Sequence, residues 1–296
     1  MIFPKKYAII KLQEVIPMDL NIDEKRYQAH LKRLEQYRPL DDDFMRELFR
    51  DNIPLSEMVL RIITGISDLK ITSQETQYDM KRLLGARSVC LDVFATDSEG
   101  RLYNLEIQRS DKGAPAKRAR YHSSAMDIEF LDSGDDFEKL PITYVIFITE
   151  NDILGEDRAV YDFEMRDTKT GRPLCDGTHI IYVNAAYNKE DDTSDIARLM
   201  HDFRCSKANE MNFSLMAERT KYFKETNEGV RFMCRINEEM CNEARMEGII
   251  EGEKGKSIKI AKQLISMGMG TIEDIAKVTK LPIEEVQSLA DKMKAS

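Results

Sequence analysis

The spacing of apolar residues along this 296-residue chain changes period several times, and each change predicts an element. Residues 1–40 are mixed and charged, and "EKRYQAHLKRLEQY" within them reads as a helix. In "PLDDDFMRELFRDN" Asp43 can cap a short helix that carries Phe44, Leu48 and Phe49 on one side. "IPLSEMVLRIITGISDLKI" places Pro54 near a helix start, Glu57 in the first turns, and Met58, Leu60, Ile62 and Ile63 as its apolar positions. The period then drops to two: both arms of "LDVFATDSEGRLYNLEIQR" alternate, which predicts a β-hairpin within 89–109. A helix over "GAPAKRARYHSSAMDIEFL" follows directly.

Farther on, "PITYVIFITEND" contains a continuous apolar run from Tyr144 to Ile148, the pattern of a central strand covered on both faces. "THIIYVNAAY" is another strand, and "FEMRDTKTGRPL" between them is a polar excursion turning at Lys169-Thr170-Gly171. From about residue 194 the pattern is helical to the end. Near that end Thr271 can cap a helix, with Asp274 three residues on. A turn at Leu281-Pro282 leads to a second helix with Ile283, Val286 and Leu289 inward, the outline of a helix-turn-helix. The expected division is a helical segment 1–40, an α/β core 41–215 and a helical region 216–296 with that helix-turn-helix-like end.

Composition narrows the class. The content is 42% hydrophobic, the mean hydropathy is −0.47, and no apolar run approaches the length of a membrane span. The opening "MIFPKKYAII" lacks the apolar stretch of a signal peptide. The five cysteines form no CxxC pair and the four histidines no HExxH, so reduced thiols in a cytoplasm are expected rather than a disulfide frame or zinc site. A net charge of −9 argues against nucleic-acid binding by bulk charge. The local balance is different: residues 101–121 hold Arg101, Arg109, Lys112, Lys117, Arg118 and Arg120 against Glu106 and Asp111. Such a run is either a solvated face or a track for phosphates.

The hairpin itself carries the chemistry. Ser98-Glu99-Gly100 suits a three-residue loop with Gly at its left-handed position. Asp97 then pairs with Arg101, and counting outward sets Asp92 opposite Glu106, with Gln108 two residues on along the same face. Carboxylates about 5 Å apart repel by roughly 3 kcal/mol at an effective dielectric near 20. A hairpin with one solvated face could carry those residues to no purpose. A hard divalent cation, which takes oxygen ligands, would give them one, with the Ile107 carbonyl as a further oxygen.

The order helix, hairpin with Asp…Glu-x-Gln, basic helix, apolar strand resembles the PD-(D/E)XK nuclease superfamily. More closely, it resembles the bacterial family of recombination-promoting nucleases and transposases. The residues that carry the likeness are "FMRELF" (44–49), "LDVFATDSEGRLYNLEIQ" (91–108), "KRARYHSSAMD" (117–127), "LPITYVIFITENDILGEDRAVYDF" (140–163) and the repetitive tail. The resemblance implies a restriction-endonuclease-like α/β core: a mixed central sheet flanked by helices, with an all-α C-terminal appendage. It implies Asp92 and Glu106 as ligands of Mg²⁺ or Mn²⁺, and Gln108 where the superfamily usually has lysine, although this subfamily commonly writes Glu-x-Gln. Glu57 is the candidate for an acidic residue on the first core helix, and Arg118 and Tyr121 match positions that hold phosphate or metal. With Lys117 and Arg120 they form the expected DNA-binding set. The implied activity is metal-dependent DNA endonucleolysis linked to recombination or mobile elements, with DNA as partner, no membrane, and self-association through the C-terminal helices. A rival is a DNA-binding or regulatory protein that kept the fold with weak or no turnover. Glu284 and Glu285, where the second tail helix would meet DNA, favour packing over base reading by that tail.

Overall fold

The computed structural model describes residues 24–80, 90–109 and 114–294; the chain's opening residues, Val89, Asp111 and Lys112 lie outside them. Two compact units are present. One runs from Gln28 to Arg231; the other takes in the start of the first helix and the chain from Phe232.

In the larger unit a six-stranded mixed sheet has the order β1-β2-β3-β4-β6-β5, with β1 at Ile71–Asp79, β2 at Cys90–Asp97, β3 at Leu102–Gln108, β4 at Thr143–Thr149, β5 at Val160–Phe163 and β6 at Thr178–Asn184. β1, β2 and β3 pair antiparallel, β3, β4 and β6 run parallel, and β5 returns antiparallel on β6. β4 is central, as its unbroken apolar run implied: Val145, Ile146, Phe147 and Ile148 alternate between the two faces and all are fully buried. β1 and β5 were not expected. Both are edge strands, and "ITSQETQYD" exposes too much polar surface to show an apolar period.

Helix α1 spans Glu24–Gln36, α2 Asp42–Phe49, α3 Ile53–Thr64, α4 Ala116–Phe130, α5 Asp195–Arg204 and α6 Ser214–Glu225. α4 packs on β4 and β6 around Phe94, Met126, Phe147 and Tyr182. Phe44, Leu48 and Phe49 of α2 are buried as the pattern required, but the cap is Asp41 rather than Asp43. Asp41 has no side-chain capping bond because its carboxylate is used elsewhere: it accepts from the Arg38 backbone N–H at 2.7 Å and pairs with Arg109 at 2.9 Å. α6 belongs to this unit. Arg219 donates to the Glu47 and Arg50 carbonyls, and Lys224 Nζ donates to those of Glu35, Tyr37 and Ser206. Burial pulls the Lys224 ammonium down to about 8, and those three carbonyls are the partners that let it sit there.

The other unit holds most of α7 (Asn227–Met267), with α8 (Ile272–Thr279) and α9 (Ile283–Lys294). Thr271 and Asp274 form the expected capping box, each side chain bonded to the other's backbone N–H. Ala261, Ile275, Leu281 and Val286 make its small core, with Leu289 packed against it. Ile283 is a correction: it is 54% exposed, because it opens α9 at the rim of the turn. Gly248, Gly252 and Gly255 lie within the unbroken α7, and a Cβ at any of them would meet open space, so no described segment packs closely on that face. Among the described residues no helix is long and apolar enough to cross a membrane.

Candidate active site

The hairpin has the register counted from sequence. Val93 faces Leu105, Phe94 faces Asn104, and the loop closes through the Asp97 N–H on the Arg101 carbonyl, with Gly100 at φ 76°. The ladder stops at Val93–Leu105. Beyond it the Ile107 N–H donates to Asp92 Oδ2 at 3.2 Å instead of to a strand partner. In an extended strand the N–H and C=O of one residue point to the same side, so the Ile107 carbonyl also turns toward β2.

Asp92 is half-buried and Glu106 fully buried. Burial, and then the Asp92 charge, push the Glu106 carboxyl up to about 8 against the pull of Arg118. Burial raises Asp92 too, opposed by the Ile107 N–H, Arg118 and Arg46.

Arg118 does not stay with the other basic residues of α4. Its guanidinium lies 5.5 Å from the Phe147 ring centre and its Nη2 donates to Glu106 Oε2 at 2.8 Å. One turn on, the buried His122 sits with Nδ1 3.5 Å from Glu106 Oε1 and 3.0 Å from the Asn104 amide. Arg118 Nε donates to His122 Nε2 at 3.3 Å. Glu106 Oε1 is buried without a hydrogen-bond partner.

A network behind the site fixes the start of α2. Arg109 bridges Asp41 and Glu150, Arg38 reaches Glu150 at 2.8 Å, and the Glu150 N–H caps the Gln108 carbonyl at the end of β3. This brings in two residues that the sequence reading missed. Asp42 is raised by partial burial and by the charge of Asp92 and then Asp43, and Arg46, one turn on, acts on both Asp42 and Asp92. The acidic run Asp41-Asp42-Asp43 is the sequence signal for this position.

Glu57 lies apart from Asp92. Its Oε1 accepts from the Ile71 N–H at 2.9 Å and its Oε2 pairs with Arg61 at 3.0 Å. Ile71 pairs with Asp97, at the loop end of the hairpin. Asp92 is five residues along β2 from there, roughly 16 Å at 3.3 Å per residue. Glu57 closes α3 onto β1 at that end of the hairpin. Gln108 ends β3 half-buried on the Glu106 face, and Lys117, Arg120 and Tyr121 are exposed on α4, turned away from the Arg118–His122 side.

The residues fit a hard divalent cation in their chemistry: two adjoining carboxylates, a backbone carbonyl on the same side, and a buried carboxylate oxygen without a partner. Among the described residues no group of three or more His, Cys, Asp or Glu side chains converges as a ready cage.

The hairpin of a mixed sheet thus carries Asp…Glu-x-Gln, and the basic helix α4 packs on the same sheet. The profile of the PD-(D/E)XK nuclease family transposases matches residues 55–246, and the chain belongs to that family. Neither a curated protein nor a solved structure matches it.

Proposed function

We propose that the protein is a metal-dependent DNA endonuclease acting in recombination or mobile-element biology. The observation that carries this is the Asp92–Glu106 pair, with Glu106 fully buried, whose electrostatic cost shows in the raised carboxyls of both residues. Asp92, Glu106 and the Ile107 carbonyl would hold Mg²⁺ or Mn²⁺, with Asp42 rather than Glu57 as the nearby third carboxylate. Such an ion supplies an activated water and relieves charge on the phosphate. Gln108 can orient by hydrogen bonds but adds no charge. Arg118 and Arg46 supply the positive charge that a lysine at position 108 would have given. Cleavage of supercoiled plasmid with Mg²⁺, Mn²⁺ or EDTA tests this, with Asp92→Asn as control. Gln108 favours the second reading, a DNA-binding protein without turnover. That reading predicts binding but no cutting with any metal.

DNA would be held by the outer face of α4. Lys117 and Arg120 are exposed and Tyr121 is 41% exposed beside them, while Arg118 serves the carboxylates. Lys117→Ala with Arg120→Ala should weaken metal-free binding to all DNA sequences alike. The slope of log affinity against log salt should shrink by roughly 0.9 per lost contact. Parental binding by this double variant, titrated at several salt concentrations, would reduce the face to ordinary solvated surface.

Self-association through the C-terminal helices is supported by Met246, Ile249 and Ile250, each about half exposed or more on α7. Removing residues 245–296 should leave the sheet unit folded and lower the particle mass in light scattering to that of one chain. Equal numbers of chains per particle in the two proteins would count against it.

A further inference from the structure

Gln77 sits in the edge strand β1 at the place opposite Asp92, between the pairs Thr76–Val93 and Tyr78–Leu91, yet it is not itself paired. Its φ is 58°, in the left-handed region, inside a strand. For a residue with a Cβ that conformation is strained. The turn has a packing consequence. Gln74 donates to the Phe49 carbonyl at the end of α2, whereas Tyr78 stacks on Phe94 at 4.8 Å and reaches Glu129 of α4. Residues four apart in a regular strand share a face; the left-handed residue between these two inverts the alternation, so that Tyr78 and Met80 join the core under α4.

That accounts for the backbone but not for the side chain. Glycine would make the same turn without strain, and Gln77 is exposed, so no packing requires it. What glutamine adds is its amide: Nε2 donates to Asp92 Oδ1 at 3.4 Å, and Oε1 accepts from the Cys90 thiol at 3.5 Å. The Ile107 N–H holds the other oxygen of Asp92. One carboxylate is thus gripped from both neighbouring strands.

We propose that Gln77 is a positioning residue for Asp92, retained at a strained place because its amide sets the rotation of that carboxylate for a divalent cation. This rests on the metal-site reading above. Backbone strain at a residue touching a functional group is how fixed geometry is commonly stored.

The test is Mn²⁺ titration followed by electron paramagnetic resonance, beside melting in EDTA, on the full chain and on Gln77→Gly, Gln77→Ala and Asp92→Asn. Gln77→Gly should keep or raise the metal-free melting temperature, since strain is relieved, while weakening Mn²⁺ binding about 3- to 10-fold, the scale of one ordinary, exposed hydrogen bond. Gln77→Ala keeps the strained backbone and should weaken Mn²⁺ by a similar factor, which ties the effect to the amide. A purely structural Gln77 would lower the melting temperature and leave Mn²⁺ affinity alone. If the parent binds Mn²⁺, Asp92→Asn does not, and both Gln77 variants bind within twofold of the parent, this inference fails and the metal site stands. If the parent itself binds no Mn²⁺ at millimolar concentration, the metal-site reading and this inference fall together.

Discussion

Asp92→Asn should abolish plasmid cleavage and, in EDTA, make the protein more stable. The two effects have one cause. Asp92 faces a fully buried Glu106, and burial with the Asp92 charge drives the Glu106 carboxyl up to about 8. The amide keeps an oxygen for the Ile107 N–H but removes the like charge. Because Asp92 is half-exposed, solvent screening cuts the relief to about 1 kcal/mol, below the roughly 3 kcal/mol of a pair at an effective dielectric near 20. That corresponds to about 2–4 °C in melting temperature for a unit of this size. The same change removes a hard anionic ligand. Charge stabilisation by a metal in phosphodiester hydrolysis amounts to several kcal/mol, so at about 1.4 kcal/mol per decade the rate should fall a thousandfold or more. Nicking of supercoiled plasmid and melting in EDTA measure both. Cleavage by Asp92→Asn at the parental rate would end the assignment of catalysis to this carboxylate pair. A loss of stability without metal would mean the carboxylate has a structural purpose.

Glu106 should make the metal-free protein less stable as pH rises, and a divalent cation should reverse this. An acid raised in the folded state binds its proton more tightly there than in the unfolded chain. Between its ordinary 4.5 and about 8 the native state therefore carries more protons, and stability falls as pH climbs through that window. Other carboxylates act oppositely below it: Asp97 is held low by Arg101 and Tyr103 despite burial, and Asp152 by Tyr161 and three backbone N–H groups. The contribution of Glu106 is isolated by subtracting the melting curve of Glu106→Gln, which has no proton to lose. In EDTA the difference should widen steadily from pH 5 to pH 8. A cation competes with that proton, so apparent Mn²⁺ affinity should rise up to tenfold per pH unit over the same range. At a hundredfold excess over Kd the linkage is worth about 2.7 kcal/mol, or some 5–10 °C at pH 8, and much less at pH 5. Parallel stability curves for parent and Glu106→Gln would show that Glu106 ionises as an ordinary surface carboxylate. A metal-induced shift that does not vary with pH would place the cation elsewhere.

What the chain determined locally is its hairpin and its central strand. The two arms alternate around a loop that needs Gly100 at positive φ, so register followed from counting, and with it the meeting of Asp92 and Glu106. β4 declared itself because a strand buried on both faces has no room for polar residues. The Thr271–Asp274 capping box was legible for the same reason: its two partners lie three residues apart. Edge strands were hidden because their outer surfaces carry no apolar signal; β1 held both the unexpected strand and its left-handed Gln77. Only the tertiary structure decided which helix end faces the carboxylates. Periodicity tells that Glu57 and Asp42 each lie early in a helix, but not which end of the sheet that helix start meets. The Arg38–Asp41–Arg109–Glu150 network brings Asp42 to the site, while the Ile71 N–H keeps Glu57 at the far end of the hairpin. The basic helix shows the same limit. Lys117, Arg118 and Arg120 are equivalent as charges along a sequence, but successive residues on a helix point about 100° apart, and packing against Phe147 turned Arg118 alone onto Glu106.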